Sequence, residues 1–171
     1  GTELSATVCW FADDSELTAG RNYLLKQTTR DTRSVVTSLD YRLDVNTLAT
    51  DSAAEALALN EIGSPTAESR PSEGITELWL GVREKGRILA AGAMHRTGGG
   101  APHLAGIVTH PDARGRGFGA AVTAALTRAA LERSGVASLG MYSDNDVARR
   151  LYHRLGFRTA HAWASRGFAV G

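Results

Sequence analysis

The chain has a single cysteine, Cys9, no long apolar run and almost no excess charge of either sign. One thiol cannot build an internal disulfide framework or a multi-cysteine metal site, so nothing in the composition asks for an oxidising compartment. No partner motif surrounds Cys9, which reads as a small packed side chain. No segment approaches the roughly 20 apolar residues that a bilayer-spanning helix needs, and the first residues lack the basic-then-apolar layout of a secretory signal. These absences predict a cytoplasmic protein without a membrane partner. The 19 Lys and Arg stand against 18 Asp and Glu, without the basic excess of a nucleic-acid binder, so no nucleic-acid partner is expected. The five histidines show no paired helical spacing, and no metal is expected. The 171 residues carry no internal repeat or low-complexity tract, and the length suits one domain that buries its core without a staple.

What is present is an alternation of strand-like and helix-like patterns from Tyr41 onward, which predicts a layered α/β or α+β domain. Tyr41 to Val45 alternates as a short strand. Ala53 to Ile62, rich in Ala, Leu and Glu, lies between Thr50-Asp51-Ser52 and the pair Gly63 and Pro65, which are start and stop signals for a helix. Ser64 to Gly74 reads as a connector. Ile75 to Arg83 and Arg87 to Arg96 are β-favouring runs joined by Glu84-Lys85-Gly86, a hairpin connection with glycine available for positive φ. After the turn Gly98 to Gly100, a third strand over Ala101 to Thr109 completes an antiparallel meander. Phe118 to Arg133 reads as a helix with Val122, Ala125, Leu126 and Ala129 on one face, and Thr123, Thr127, Arg128 and Glu132 pointing elsewhere. Gly135 ends it. Ala137 to Tyr142 then predicts a strand and Asp144 to Leu155 a helix stopped by Gly156. A further strand is expected over Phe157 to Ala164, with Phe168 to Val170 pairing to it. Upstream, Ala6 to Phe11 suits a strand and Ser15 to Gln27 a helix, while Thr28 to Arg33 is polar and unpatterned. Residues 1–40 are expected to be an N-terminal extension, a subunit contact or the remnant of a preceding domain, and 41–171 the folded domain.

The segment Val108-Thr109-His110-Pro111-Asp112-Ala113-Arg114-Gly115-Arg116-Gly117-Phe118-Gly119-Ala120 ends a strand at a proline turn and opens a long helix through glycines. Glycine lets backbone amides approach a ligand closely. Amides at a helix start, together with the helix dipole, suit a phosphate, and Arg114 and Arg116 add mobile positive charge. A phosphate-binding Walker loop needs Lys-Ser/Thr after its last glycine, whereas this turn continues Ala120-Ala121. A dinucleotide fold needs its glycines after the first strand of a βαβ unit and an acid about 20 residues on. Here the turn follows a meander, and Glu132 lies inside the helix.

A strand, then Pro, then Arg-x-x-Gly-x-Gly, then a helix resembles the coenzyme A pyrophosphate loop of the GNAT superfamily of acyltransferases, with Arg114, Gly117 and Gly119 in the diagnostic places. Asn145, Ala148, Leu151-Tyr152 and Leu155-Gly156-Phe157 resemble the family's distal block of Asn, helix, Tyr and Gly-Phe. The resemblance covers residues 41 to 164. It implies an α/β (α+β) GNAT fold, with a mixed, mostly antiparallel central sheet of about six to seven strands and helices on both faces. It implies acetyl transfer from acetyl-CoA, without a metal, to a primary amine of a small molecule or peptide by direct attack in a ternary complex.

The resemblance also distributes roles. Backbone groups of Ile107, Val108 and Thr109 would pair with the pantetheine arm as an added strand does. Arg114, Gly115, Arg116, Gly117, Phe118 and Gly119 would wrap the pyrophosphate. Asn145 would contact the pantetheine region, and it equally suits the N-cap of its helix. Tyr152 would protonate the departing thiolate, phenol and thiol acidities being within a couple of units; the same ring suits an aromatic packing anchor. Some members place a glutamate base five residues ahead of the Asn, where this chain has Gly140. That leaves His103, His110, Glu77, Ser143 and Asp144 as candidate bases. It also leaves open an inactive acyl-CoA-binding sensor, or transfer to an acceptor other than an amine. Exposed strand edges in such domains often pair between subunits, so a homodimer is expected.

Overall fold

Residues 76–109 fold as the turn chemistry dictates. The computed structural model describes residues 15–27, 30–39, 45–48, 52–64 and 76–164. Strands β4 (Thr76–Glu84), β5 (Arg87–Arg96) and β6 (Pro102–Thr109) form the meander. Lys85 and Gly86, at φ 49 and 82, make the two-residue turn whose left-handed backbone matches the twist of the strands it joins. In chain order the preceding elements are β1 (Asn22–Gln27), β2 (Arg30–Val35), β3 (Asn46–Thr47) and α1 (Ala53–Gly63). After β6 come a 3-10 turn (Pro111–Ala113), α2 (Phe118–Ser134), β7 (Ser138–Leu139) and α3 (Asp146–Arg154).

The main sheet has five strands in the order β3-β4-β5-β6-β7, with β6 and β7 parallel and the other pairs antiparallel. The mixed, mostly antiparallel GNAT arrangement is thus present with fewer strands in the described residues than the resemblance implies. β1 and β2 form a separate two-stranded antiparallel sheet. The chain divides into two units, Gly1–Gly140 and Met141–Gly171.

Helices cover both faces of the sheet because β5 is built from small residues. Successive strand residues face opposite sides. Ala91 packs with Ala56 and Leu59 of α1, along with Ile88 and Val108. A Cβ on Gly92, the next residue, would lie 2.9 Å from both Leu126 and Val122 of α2. Ala90, Ala91, Ala93 and Met94 are fully buried. The Glu55 carboxylate ties α1 to the hairpin, accepting from the Ile88 amide at 2.6 Å and from Arg83 at 2.8 Å.

Several expectations are corrected. Ser15 to Gln27 holds β1 rather than a helix, because the strand is paired along its length with Arg30–Val35, which begins inside the stretch to Arg33 that reads as unpatterned. Thr123 is fully buried, not turned away; its hydroxyl donates to the Gly119 carbonyl at 2.7 Å, which removes the cost of burying it. Residues 157–164 form no strand, and no strand pairs with them among the described residues. The strand expected over Ala6 to Phe11, residues 41–44 of the next one, most of the connector and Phe168 to Val170 lie outside the described residues.

Candidate active site

The sheet meets the glycine-rich turn at the end of β6. The His110 amide donates to the Leu89 carbonyl at 2.8 Å, and the His110 ring accepts from the Asp112 amide at 3.2 Å, so the chain leaves the strand in a fixed direction. Gly115 and Gly117 have φ of 77 and 83, a left-handed conformation that costs other residues roughly 1–2 kcal/mol. Gly117 caps α2 with no side-chain hydrogen bond, and the first turn of α2 holds no acid. The first bond into the helix runs from the Ala121 amide to the Gly117 carbonyl at 3.0 Å, so the amides of Phe118, Gly119 and Ala120 have no helical acceptor. A Cβ on Gly119 would stand 3.0 Å from the Thr109 hydroxyl, while the buried Phe118 side chain anchors the turn from beneath. This cradle of amides, opened by glycines, suits a pyrophosphate.

The two arginines are engaged rather than mobile. Arg114 donates to the Gly63 carbonyl at the end of α1, 3.0 Å away. Arg116 makes two hydrogen bonds to Glu84, at 2.6 and 3.2 Å, and its guanidinium lies 4.5 Å from the centre of the Phe118 ring. Beside that guanidinium the Glu84 carboxyl is held below the usual carboxylate range. The cradle's positive character thus rests on backbone amides, with Arg116 anchored at its rim.

β6 has two unlike edges. Along β5 it is paired at both ends, interrupted by a bulge where Gly92 faces Gly106 and Ile107; Gly106 takes φ 59. Along the other edge, β7 pairs only with His103 and Leu104. From Ala105 to Thr109 that edge has no strand beside it among the described residues, which leaves the stretch containing Ile107, Val108 and Thr109 available for strand-like pairing. Gly106 escapes a sequence reading centred on the loop, although a glycine inside a β run is itself a bulge signal.

In the unit Met141–Gly171, Asn145 caps α3, its side-chain oxygen accepting from the Ala148 amide at 3.0 Å. Tyr152 is buried and meets Phe157 edge-on, with ring centres 6.1 Å apart. Burial pushes its hydroxyl above the usual tyrosine range. Both structural roles weighed for these residues are therefore present.

The candidate bases separate by their partners. Glu77 is taken up by Arg96 at 2.7 Å and Arg133 at 3.5 Å, and the His110 ring is occupied by Asp112. Ser143 and Asp144 are exposed turn residues. His103 is half-buried, with Nδ1 3.0 Å from the Ser138 hydroxyl. A Cβ on Gly140 would lie 3.9 Å from its Nε2.

A splayed strand pair, a bulge at its opening and an amide cradle beyond are features in keeping with the GNAT resemblance. The chain belongs to the FR47-like protein family, whose model matches residues 79–165, more than half of its length. Residues 3–73 match a second model, the GTP-eEF1A C-terminal domain-like family. A solved GNAT-family protein from Novosphingobium aromaticivorans is 28% identical, with a TM-score of 0.59 over 67% of this chain and 51% of that one. The ribosomal-protein-S18-alanine N-acetyltransferase of Escherichia coli, 21% identical, shares the fold with a TM-score of 0.61 over 70% of this chain and 80% of its own. The bifunctional enzyme CysN/CysC of Mycobacterium tuberculosis is 57% identical over 61 residues, which are 36% of this chain and 10% of that enzyme. The chain therefore spans a small part of that curated relative and about half of the Novosphingobium protein. Among the described residues no helix is long and apolar enough to cross a membrane, and no cluster of three or more metal-ligating side chains occurs.

Proposed function

We propose that this chain transfers an acetyl group from acetyl-CoA to a primary amine of a small molecule or peptide, by direct attack within a ternary complex. The observation that carries the reading is the start of α2, where Gly115 and Gly117 are left-handed and three amides have no helical acceptor beside an unpaired stretch of β6. Family membership supplies the class of chemistry.

In this reading the amides from Gly115 to Ala120 hold the pyrophosphate, with Arg114 and Arg116 at the rim. Ile107, Val108 and Thr109 pair with the pantetheine arm through their backbones. An amide at the bulge polarises the thioester carbonyl, which stabilises the charge that develops there as the amine attacks. Asn145 contacts the pantetheine region through the part of its carboxamide not used in capping, and Tyr152 supplies a proton to the thiolate. Burial, which raises the Tyr152 pKa, leaves the hydroxyl protonated across the neutral range, the form a proton donor needs.

The acetyltransferase domain is taken as 41–171, with 1–40 an extension. β3 pairing with β4 and α1 packing on the sheet support placing residues 46–63 in that domain. The protein is read as cytoplasmic, independent of metal, membrane and nucleic acid, and dimeric through a strand edge. The test is acetyl-CoA calorimetry followed by thiol release against an Ala-initiated peptide and an aminoglycoside. Binding with amine-dependent release is expected; binding without release favours the sensor, and no binding overturns the assignment.

A further inference from the structure

We propose that His103 is the general base that takes the proton from the acceptor amine, filling the place of the carboxylate that Gly140 lacks. This rests on the acetyl-transfer reading above and names a group that reading leaves open.

The observation is a chain of hydrogen bonds that fixes the tautomer. The Ser138 hydroxyl donates to the Pro102 carbonyl at 3.0 Å. A hydroxyl has one proton and a carbonyl can only accept, so Ser138 has no proton left for the histidine. At the 3.0 Å contact with Nδ1 of His103, Ser138 must therefore accept, which places the imidazole proton on Nδ1 and the lone pair on Nε2. Nε2 is one of the two ring atoms that approach the Gly140 position, each 3.9 Å from a Cβ built there. The bare nitrogen thus lies within van der Waals reach of the point where a side chain at 140 would begin.

The site is also placed correctly along the strand. His103 pairs with Ser138 at the last stretch where β6 and β7 run together, immediately before the edge opens. Its ring stacks at a tilt with that of His95, with centroids 5.1 Å apart. Burial first, and the charge of His95 second, hold the His103 ring below the ordinary histidine range, so it is neutral and able to accept at neutral pH. On the β7 side it meets Ser138 and, just past the strand, Gly140, neither of which carries charge. Among the described residues His95, on β5, is the titratable group that acts on it.

The step balances. One N–H bond of the ammonium breaks, the electron pair stays on nitrogen, and the proton goes to Nε2. The neutral amine then forms the C–N bond as the C–S bond breaks. The second N–H proton, acidified by that attack, is lost to solvent as the leaving thiolate takes one up, and the imidazolium returns its proton to solvent.

Three measurements test this. In the intact protein at pH 8, nitrogen-15 NMR of the His103 ring is expected to show protonated Nδ1 and bare Nε2; the opposite tautomer overturns the proposal. His103→Gln is expected to keep its acetyl-CoA affinity by calorimetry. With the Ala-initiated peptide or the aminoglycoside, its turnover at pH 7 should fall roughly 100- to 1000-fold, the range lost with a positioned base. That gap should close towards pH 10, where the amine is already neutral. A gap constant with pH, or none, overturns the proposal. His103→Gln combined with Gly140→Glu is expected to regain at least about tenfold of the loss. Where neither amine is acetylated, the tautomer decides. If the wild-type protein fails to bind acetyl-CoA, the acetyl-transfer reading itself has failed, a result distinct from any change confined to His103→Gln.

Discussion

Two helices in this chain begin in opposite ways. α3 is complete at its start, with the Asn145 side chain bonded to the Ala148 amide and Asp146 in the first turn facing the positive end of the dipole. α2 starts on a left-handed glycine, with no capping side chain and no acid in its first turn. Capping and a favourable charge are each worth up to about 1 kcal/mol in ordinary settings, so the nine-residue helix holds what the seventeen-residue one forgoes. The longer helix can forgo it because Phe118, Val122, Thr123, Leu126 and Ala130 are fully or almost fully buried against its surroundings. The comparison teaches that α2 is held by its flank and leaves its N-terminus without a side-chain cap, whereas α3 carries its own.

Gly117→Val attacks that difference most directly. It forces a β-branched residue into a left-handed conformation and misaims amides whose hydrogen bonds to a charged group are worth about 1.5–3 kcal/mol each. Acetyl-CoA affinity measured by calorimetry is expected to fall about 100-fold, and an unchanged value in a folded variant would show that the two starts do not differ in function. Tyr152→Phe probes the other helix. Turnover is expected to drop roughly 100-fold with affinity nearly unchanged. Because burial raises the Tyr152 pKa, wild-type turnover should hold its acid-dependent limb beyond the ordinary tyrosine range. That limb should vanish in the variant.

Asn145→Ala should lower stability in urea by about 1 kcal/mol, the usual value of a cap. A parallel loss of acetyl-CoA affinity would mean that the residue serves ligand and helix together. Smallest is Glu84→Gln, which loosens Arg116 at the cradle's rim. Affinity is expected to rise about two- to threefold, in keeping with the modest strength of exposed ion pairs, and a decrease would mean that Glu84 holds Arg116 in its working position.

The parts legible in the sequence were those decided by local chemistry. Lys85-Gly86 specifies its own turn, Gly135 ends α2 by adopting φ 72, and the spacing of Gly115, Gly117 and Gly119 marks the cradle before any contact is known. The parts that depend on distant partners were not legible. Tyr23 and Leu24 sit among good helix formers, yet pairing with Ser34 and Arg33 makes them a strand, since tertiary context overrides weak propensity. Thr123 reads as an outward polar residue until the Gly119 carbonyl supplies its partner. Arg116 reads as mobile charge until Glu84, 32 positions away, claims it. His103 was one candidate base among five, and only the Ser138 and Pro102 geometry distinguishes it.

On the proposed reading, the early parting of β6 and β7 after Leu104 makes acetyl-CoA a thermodynamic partner of the fold. A ligand that completes a sheet binds only the native state, and at 100 times its dissociation constant it adds about 2.7 kcal/mol to the unfolding free energy. Melting temperature should therefore climb with acetyl-CoA concentration, and amide exchange along Ala105 to Thr109 should slow with it. In a cell, where unfolded chains are degraded, the proposed reading has the amount of this protein rise and fall with the supply of acetyl-CoA.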